Sequence, residues 1–572
     1  MLKIHLIGKP RLERNGQRIV GPRGHKTWAL LARLVRSEDP VSRQRLVDEL
    51  FGEAEDPMGA LRWGLAELRR TTGLTDAFRG NPVLFAPSDE TVVDVVEVVG
   101  GRFGGGVPEG EFLEGVDVRA SPGFESWLLI ERQRVDSEIL SALRQATLRA
   151  LAGRFFDRAI DLAGAMVSRR PFEEGPHVLL VKALAASGDA EAAQRQVEAS
   201  VSMFVEEMGV TPTEAIRNAA RPNVAAAVPG VSAQASARSL LEAGLTAVSA
   251  GAVDAGIECL RRACSDAEEA GDPDLLGRSL VELGTALVHS IRGYDDEGAV
   301  VLQSAIESAN VAGTPLTAAK ALSELGYLDL LAGRRLSATQ YLDGAEGLAA
   351  GDPTLLAAVA SFKAMNLNDW GRGREAGDQF EHALEMARAA GALRREIWAL
   401  GIGSRTFYSL GELGKAAEWA ERSGQLAKEA GWTAFRPWPE SWLAHVRLAQ
   451  GEDPAAVRND AEATFALARQ LGDPCWEGVA AKTIGLTYVA EQRHDAGLEW
   501  IANAGVWCGR VTDSYTWVQT EIIIAEARAA LEIGDGARAE SVARDAIAEA
   551  ARGQMDGLLR EAMGILSGIQ GN

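Results

Sequence analysis

Arg62, Arg69 and Arg70 stand within one short amphipathic stretch, Met58–Arg70, with Trp63 and Glu67 between them. A guanidinium presents a planar fork of N–H donors that matches the N7 and O6 acceptors of guanine and also grips phosphate. Leu61, Leu65 and Leu68 recur at helical spacing and define an inner face, which turns Arg62, Ala66 and Arg69 outward. Upstream, Ser42 is a good N-cap for a helix over Val41–Phe51. Arg43 and Arg45 sit in its first turn, where free N–H groups suit a phosphate. Two short helices around the polar turn GEAEDP (Gly52–Pro57), the second bearing arginines, is how a helix is laid in a DNA major groove. The candidate DNA contacts are therefore Ser42, Arg43, Arg45, Arg62, Trp63, Glu67, Arg69, Arg70 and Arg79. Trp63 either packs or meets a thymine methyl, and Glu67 either accepts from cytosine N4 or repels phosphate.

The elements that must position these side chains are legible around them. Leu2, Ile4 and Leu6 alternate with polar residues, as in a half-buried strand. Asn15-Gly16 is a hairpin signal, and Gln17–Val20 suits the returning strand. A first helix is expected over Gly24–Arg36, with Trp28, Leu31, Ala32 and Val35 inward. Pro82–Ala86 and Thr91–Val96 are expected as the two strands of a wing around Pro87–Glu90, with Arg79 its nearest basic residue. The head reads as a winged helix-turn-helix over residues 1–93.

Charge is compatible with this reading only because it is uneven. The chain of 572 residues carries a net −21, but residues 1–90 hold 15 Lys and Arg against 12 Asp and Glu. Polyanion binding needs a local basic surface, and the whole-molecule charge can hide one.

Signals for other chemistry are poor. The seven histidines (His5, His25, His177, His289, His382, His445 and His494) are scattered, with no HExxH, so no metal site is expected. GPRGHKT (Gly21–Thr27) lacks the Gly-Lys pair of a phosphate loop, Gly104-Gly105-Gly106 has no lysine after it, and Gly414-Lys415 is followed by alanine. No catalytic residue and no cofactor is expected. Cys259, Cys264, Cys475 and Cys508 form no CxxC pair and suit reduced, buried thiols. With no apolar run long enough for a bilayer and no signal peptide in MLKIHLIGKPRL, a cytoplasmic protein is expected.

Several ordered motifs resemble one family. GPRGHKTWALLARLV, VSRQRLVDELF and ALRWGLAELRR follow the pattern of the Streptomyces antibiotic regulatory protein group, whose head is similar to the winged helix of OmpR-like response regulators. GEFLEG (Gly110–Gly115), FESWLLIERQRV (Phe124–Val135), RRPFEEGPHVLLVKALAASGDAEAAQRQ (Arg169–Gln196) and EEMGVTPTEAIR (Glu206–Arg217) look like the bacterial transcriptional activator domain that follows it. The match covers roughly residues 1–217. The resemblance implies promoter DNA as partner, protomers on repeated sites as a homodimer, contact with RNA polymerase, and activation. Larger relatives carry a nucleotide-hydrolysing module between the activator domain and the repeats, which is not expected here.

Residues 94–218 read independently as helical: Ser126–Leu151, Phe156–Val167, His177–Ala186 and Ala190–Glu207, separated by glycine or proline turns. Residues 219–237 are rich in small residues and read as a linker. From 238 to 572 the chain repeats. Turn residues recur at Gly271, Gly313, Gly351, Gly391, Gly431, Gly472, Asp513 and Gly553, with a second set midway at Gly251, Gly293, Gly333, Gly371, Gly411, Gly451, Gln492 and Gly534. Two helices per period of about forty make an α-solenoid. Ile484-Gly485-x-x-Tyr488, Leu283-Gly284 and Leu325-Gly326 resemble the small-residue packing spot of a tetratricopeptide helix, and residues 554–567 a last capping helix. Trp432, Phe435, Trp438 and Trp442 cluster with Pro437 and Pro439 between them and read either as a groove for a protein or small-molecule effector or as inter-helix packing. The fold class is mainly α, with a small α+β head. The functional expectation is a DNA-binding transcriptional regulator that senses a partner through its repeats. The alternative is an adaptor whose head no longer reads DNA.

Overall fold

The computed structural model describes the chain except residues 38, 89, 103–106, 108, 119–120, 222–231, 250, 291, 512, 514 and 571–572. It divides into two compact units, Met1–Gln145 and Ala146–Asn572.

In the first unit β1 (Leu2–His5), β2 (Arg11–Arg14) and β3 (Gln17–Ile19) form an antiparallel meander, turned at Asn15-Gly16. Three helices follow: α1 (His25–Val35), α2 (Arg43–Leu50) and α3 (Pro57–Thr72). Their apolar faces meet as the periodicity predicts, with Leu31, Leu46, Leu50, Leu61 and Leu68 all at 0% exposure. Caps set the boundaries. The Ser42 hydroxyl accepts from Arg45 N–H, Asp56 accepts from Gly59 N–H, and Gly73 closes α3 in the left-handed conformation. Gly64 lets α3 approach α1, since a Cβ there would lie 3.1 Å from Leu30 Cδ2.

The wing differs from expectation. A hairpin forms from β4 (Phe78–Arg79) and β5 (Leu84–Phe85), with Phe78 opposite Phe85. Thr91–Val96 does not pair with it. β6 (Thr91–Val93) instead runs parallel to β1 at the edge of the first sheet, whose order is β3-β2-β1-β6. The chain then turns into α4 (Asp94–Val99), because the Asp94 carboxylate accepts from Leu6 and Ile7 N–H at 2.9–3.0 Å and ends the strand there. Asp89 of the expected wing turn and Gly104-Gly105-Gly106 lie outside the described residues.

Helix α5 (Pro122–Ala152) begins in the first unit, where Arg36, the residue that caps the end of α1, donates to both Glu131 and Glu138. Burial pushes the Glu138 carboxyl up, and Arg36 opposes that shift. Arg33 stacks over Trp127 at 5.5 Å.

The second unit continues with α6 (Phe156–Arg169), α7 (Glu174–Ala186), α8 (Ala190–Met208) and α9 (Glu214–Ala219). Residues 222–231 of the expected linker lie outside the described residues, and a helix begins at Ala233. From there paired helices form the α-solenoid of tetratricopeptide-like repeats. The turn residues of the second set end the first helix of each pair in the left-handed conformation, Gly371 at φ 93° and Gln492, without glycine, at φ 62°. In the last repeat Gln554 (φ 51°), not Gly553, takes that conformation, and the final helix is Asp556–Gln570.

The two helices of a repeat are buried differently. Arg335–Leu348 and Gly373–Ala389 bury one stripe, whereas Pro315–Leu331 and Pro353–Trp370 are buried on nearly all sides. The cause is contact between distant repeats. The Thr516 hydroxyl donates to Leu331 O at 2.8 Å across 185 residues, and a Cβ on Gly371 would lie 2.6 Å from Gly557 N. The coil therefore closes on itself and fills its inner face with its own side chains.

The small-residue spots hold the helix pairs together. A Cβ on Gly485 would meet Ile501 Cγ1 at 2.6 Å and Gly497 O at 2.8 Å, and one on Gly326 would meet Leu342 at 2.7 Å. Gly485→Ala is expected to lower stability by about 1–3 kcal/mol, since backbone must move to admit the methyl. Gly414→Ala has nothing within 4 Å and is expected to be neutral or slightly stabilising. Thermal denaturation of the full chain followed by tryptophan fluorescence checks the contrast.

Candidate nucleic-acid interface

Helix α3 presents one exposed stripe. Met58, Arg62, Trp63, Ala66 and Arg70 are exposed, while Leu61, Gly64, Leu65, Glu67 and Leu68 are buried. Trp63 is 55% exposed, unusual for an indole on a helix whose leucines are all packed. The Arg62 side chain is 66% exposed, and its ion pair with Asp56, itself 69% exposed, is long at 3.6 Å. Such a contact in high dielectric contributes at most about 1 kcal/mol, so the guanidinium is free to exchange partners.

The other sequence-predicted residues are more constrained. Glu67 is not an outward base reader. Its carboxylate is buried, accepts from Arg70 at 2.7 and 2.9 Å and from Arg23 N–H at 3.3 Å, and is held by Arg70 below the usual carboxylate range. Arg70 thereby neutralises the acid that helical spacing alone sets beside the outer face. Arg69 turns away from the outer stripe and donates to Phe78 O, tying α3 to the hairpin. Helical angle alone cannot reveal this, because the acceptor belongs to a strand.

The second cluster gathers at the hairpin turn. Arg43 donates from its backbone N–H to Asn81 Oδ1 at 3.3 Å and from Nε to Gly80 O at 3.1 Å. Arg79 is exposed and paired with the equally exposed Asp76 at 2.6 Å. Arg45 is 65% exposed and bonded to Glu49 at 2.8 Å, and the Ser42 hydroxyl is used as the N-cap. The structure thus brings Arg43 and Arg79 to one turn and Arg62, Trp63 and Arg70 to one helix face. Sequence reasoning missed Met58 and the acids Asp56 and Asp76. The recurrence of Met58, Arg62 and Ala66 at intervals of four could have found the first.

The aromatic quartet of the repeats is not an open groove. Trp438 is 0%, Trp442 2% and Phe435 2% exposed, and only Trp432 is half-buried, stacked on Phe435 at 4.8 Å. Closure of the coil puts Trp438 against Trp476 and Tyr515, and Trp442 against Trp517. Beside them lies a buried ionic group. The Asp369 carboxylate accepts from Arg405 Nη2 at 2.6 Å, Tyr515 Oη at 2.6 Å and Arg335 Nη1 at 3.3 Å. Both arginines are 0% exposed. Burial pulls the Arg335 guanidinium down and works against Arg405 too, where Asp369 and Tyr515 more than offset it. Arg405 also lies 4.2 Å from the Trp517 ring and 5.7 Å from Trp438. A desolvated cation–π contact is worth about 2 kcal/mol, less than the several kcal/mol that burying an ion costs.

No curated protein matches the chain significantly. Solved structures similar to it include a Rap protein complexed with competence and sporulation factor (11% identity, TM-score 0.42, covering 59% of this chain and 99% of that one). Another is Mycobacterium tuberculosis EmbR in complex with a low affinity phosphopeptide (17% identity, TM-score 0.27, 38% and 64%). A third is a signal transduction ATPase with a tetratricopeptide repeat sensor from Pyrococcus horikoshii (12% identity, TM-score 0.38, 96% and 86%). Residues 108–222 match the family model of the bacterial transcriptional activator domain, and the chain carries that domain there, ahead of its tetratricopeptide-like repeats.

Proposed function

We propose that the chain is a DNA-binding transcriptional regulator. Residues 1–93 act as a winged helix on promoter DNA, residues 94–218 as the activating domain, and residues 238–572 as the arm that receives a protein or small-molecule partner. The observation that carries the reading is the exposed stripe of α3, with Arg62 and Trp63 at its centre and Glu67 withdrawn from it. The activator-domain match at residues 108–222 supports it from outside the head. In this reading α3 enters the major groove, and the hairpin turn with Arg43 and Arg79 meets the flanking phosphates. Contact with RNA polymerase and pairing of two copies on repeated sites belong to the same proposal.

The test is a gel shift of the full chain on the DNA upstream of its own gene, against a scrambled duplex, over a salt series. A specific complex is expected, with log K falling linearly in log salt by about 0.9 per phosphate contacted. Equal affinity for the scrambled duplex, or no complex at low salt, overturns the reading.

A further inference from the structure

The ionic group at the closure of the repeat coil has more positive charge than its own residues neutralise. Arg335 and Arg405 bring two guanidinium charges and Asp369 one carboxylate. The carboxylate has no capacity left. Oδ1 accepts from Arg405 and from Asn368 at 3.4 Å, and Oδ2 accepts from Arg335 and Tyr515. Arg335 spends two further bonds on backbone, Nε to Gly553 O at 3.1 Å and Nη1 to Leu330 O at 2.7 Å. Arg335 Nη2, Arg405 Nε and Arg405 Nη1 are buried with no acceptor among the described residues. The rings of Trp517, Trp438 and Tyr515 cover the Arg405 guanidinium without accepting its proton charge outright.

We propose that Arg335 and Arg405 together bind one small monovalent anion, a halide of chloride size or larger or the carboxylate of a small organic acid; fluoride, the most strongly hydrated halide, loses most on entering a dry site and serves as the reference. A guanidinium stays protonated at any physiological pH, so the excess charge cannot be relieved by losing a proton. Water satisfies N–H groups but leaves the charge, whereas a monovalent anion does both. A divalent oxyanion reverses the sign of the excess. The occupant sits at the guanidinium edges, because the negative ring faces repel it from the flanks. Its effect is on closure. Arg335 holds the turn at Gly553, just before the last helix, and Tyr515 joins Asp369 from a segment 146 residues away. An anion that relieves repulsion between the two arginines favours the closed coil over any opened form. This inference does not depend on the DNA-binding reading.

Thermal midpoints of the full chain in sodium fluoride, chloride and acetate at equal ionic strength test it. For one site, each tenfold rise in anion above its dissociation constant shifts the folding equilibrium about tenfold. Chloride, acetate or both are expected to show that extra rise over fluoride, and which of them does identifies halide or carboxylate as the occupant. Arg405→Met leaves the neutral pair Arg335 and Asp369, and its dependence on chloride and acetate is expected to fall to that in fluoride. Should that variant not fold, crystals of the wild-type protein grown in bromide and, separately, in acetate give the answer. An anomalous bromide peak, or acetate density, within hydrogen-bond reach of Arg335 Nη2 and Arg405 Nη1 or Nε supports the site. Identical salt dependence in all three anions, with neither ion at the arginines in the crystals, overturns it.

Discussion

Asp369→Ala is expected to destabilise the repeat coil by about 3–5 kcal/mol, the cost of removing one partner from a buried ion pair. Two guanidiniums at 0% exposure lose the carboxylate they share, and Tyr515 Oη loses its acceptor. Each unsatisfied buried donor adds about 1–3 kcal/mol. Against a typical domain stability of about 5–15 kcal/mol, this is enough to open the coil well below the wild-type melting temperature. Asp369→Asn separates charge from shape. It keeps an oxygen for Tyr515, so any recovery relative to alanine measures the hydrogen bond, and the remaining loss measures the charge. Glu540→Ala is the control. It breaks an exposed i,i+4 pair with Arg544 and is expected to cost under about 1 kcal/mol. Ten of the thirteen tryptophans lie between Trp370 and Trp517, so fluorescence during thermal or urea unfolding reports on the coil even if the head melts separately. If Asp369→Ala melts with the Glu540→Ala control, the buried ionic group does not hold the coil together.

What could be read from the sequence, and what could not, divides by distance along the chain. Leu61, Leu65 and Leu68 announced the inner face of α3 because helical spacing is local, and all three are buried. The repeat period was legible because a helix that must reverse ends in a left-handed residue. Gln492 shows that glycine is the usual signal there and not a requirement. The wing was misplaced because Thr91–Val93 alternates equally well beside β5 or beside β1. The deciding bonds are donated by Leu6 and Ile7 N–H, almost ninety residues back, to the Asp94 carboxylate. The aromatic residues around Trp438 were visible as a cluster, yet whether they line a groove depends on the curvature of the coil. That curvature rests on contacts such as Thr516 with Leu331, which no local pattern encodes. The same holds for Arg335, Asp369 and Arg405. Each looks like an ordinary solvated charge until repeats far apart are brought together.

Arg62→Ala and Arg69→Ala are expected to weaken DNA binding for different reasons, and the difference tests the assignment of the recognition face. Arg62 is exposed and, among the described residues, held by a long contact with Asp56. Its removal is expected to cost about 1–3 kcal/mol on the preferred duplex, roughly tenfold to a hundredfold in affinity, while leaving the melting temperature of the head unchanged. If it reads a base, the loss shrinks on duplexes altered at one position; if it grips phosphate, the salt slope falls by about 1. Arg69 instead ties α3 to Phe78 O at the base of the hairpin. Arg69→Ala is expected to loosen the hairpin, lower stability by about 1 kcal/mol and weaken all duplexes alike. Asp56→Asn runs the other way. It removes an anion from the approach path and frees Arg62, so affinity is expected to rise, most clearly at low salt, where the Debye length is long. Gel shifts and melting curves on the same three variants decide the matter. An Arg62→Ala protein that binds like wild type, beside an Asp56→Asn protein that gains nothing, places the DNA contact somewhere other than the outer stripe of α3. The hairpin turn with Arg43 and Arg79 is then the surface left to carry it.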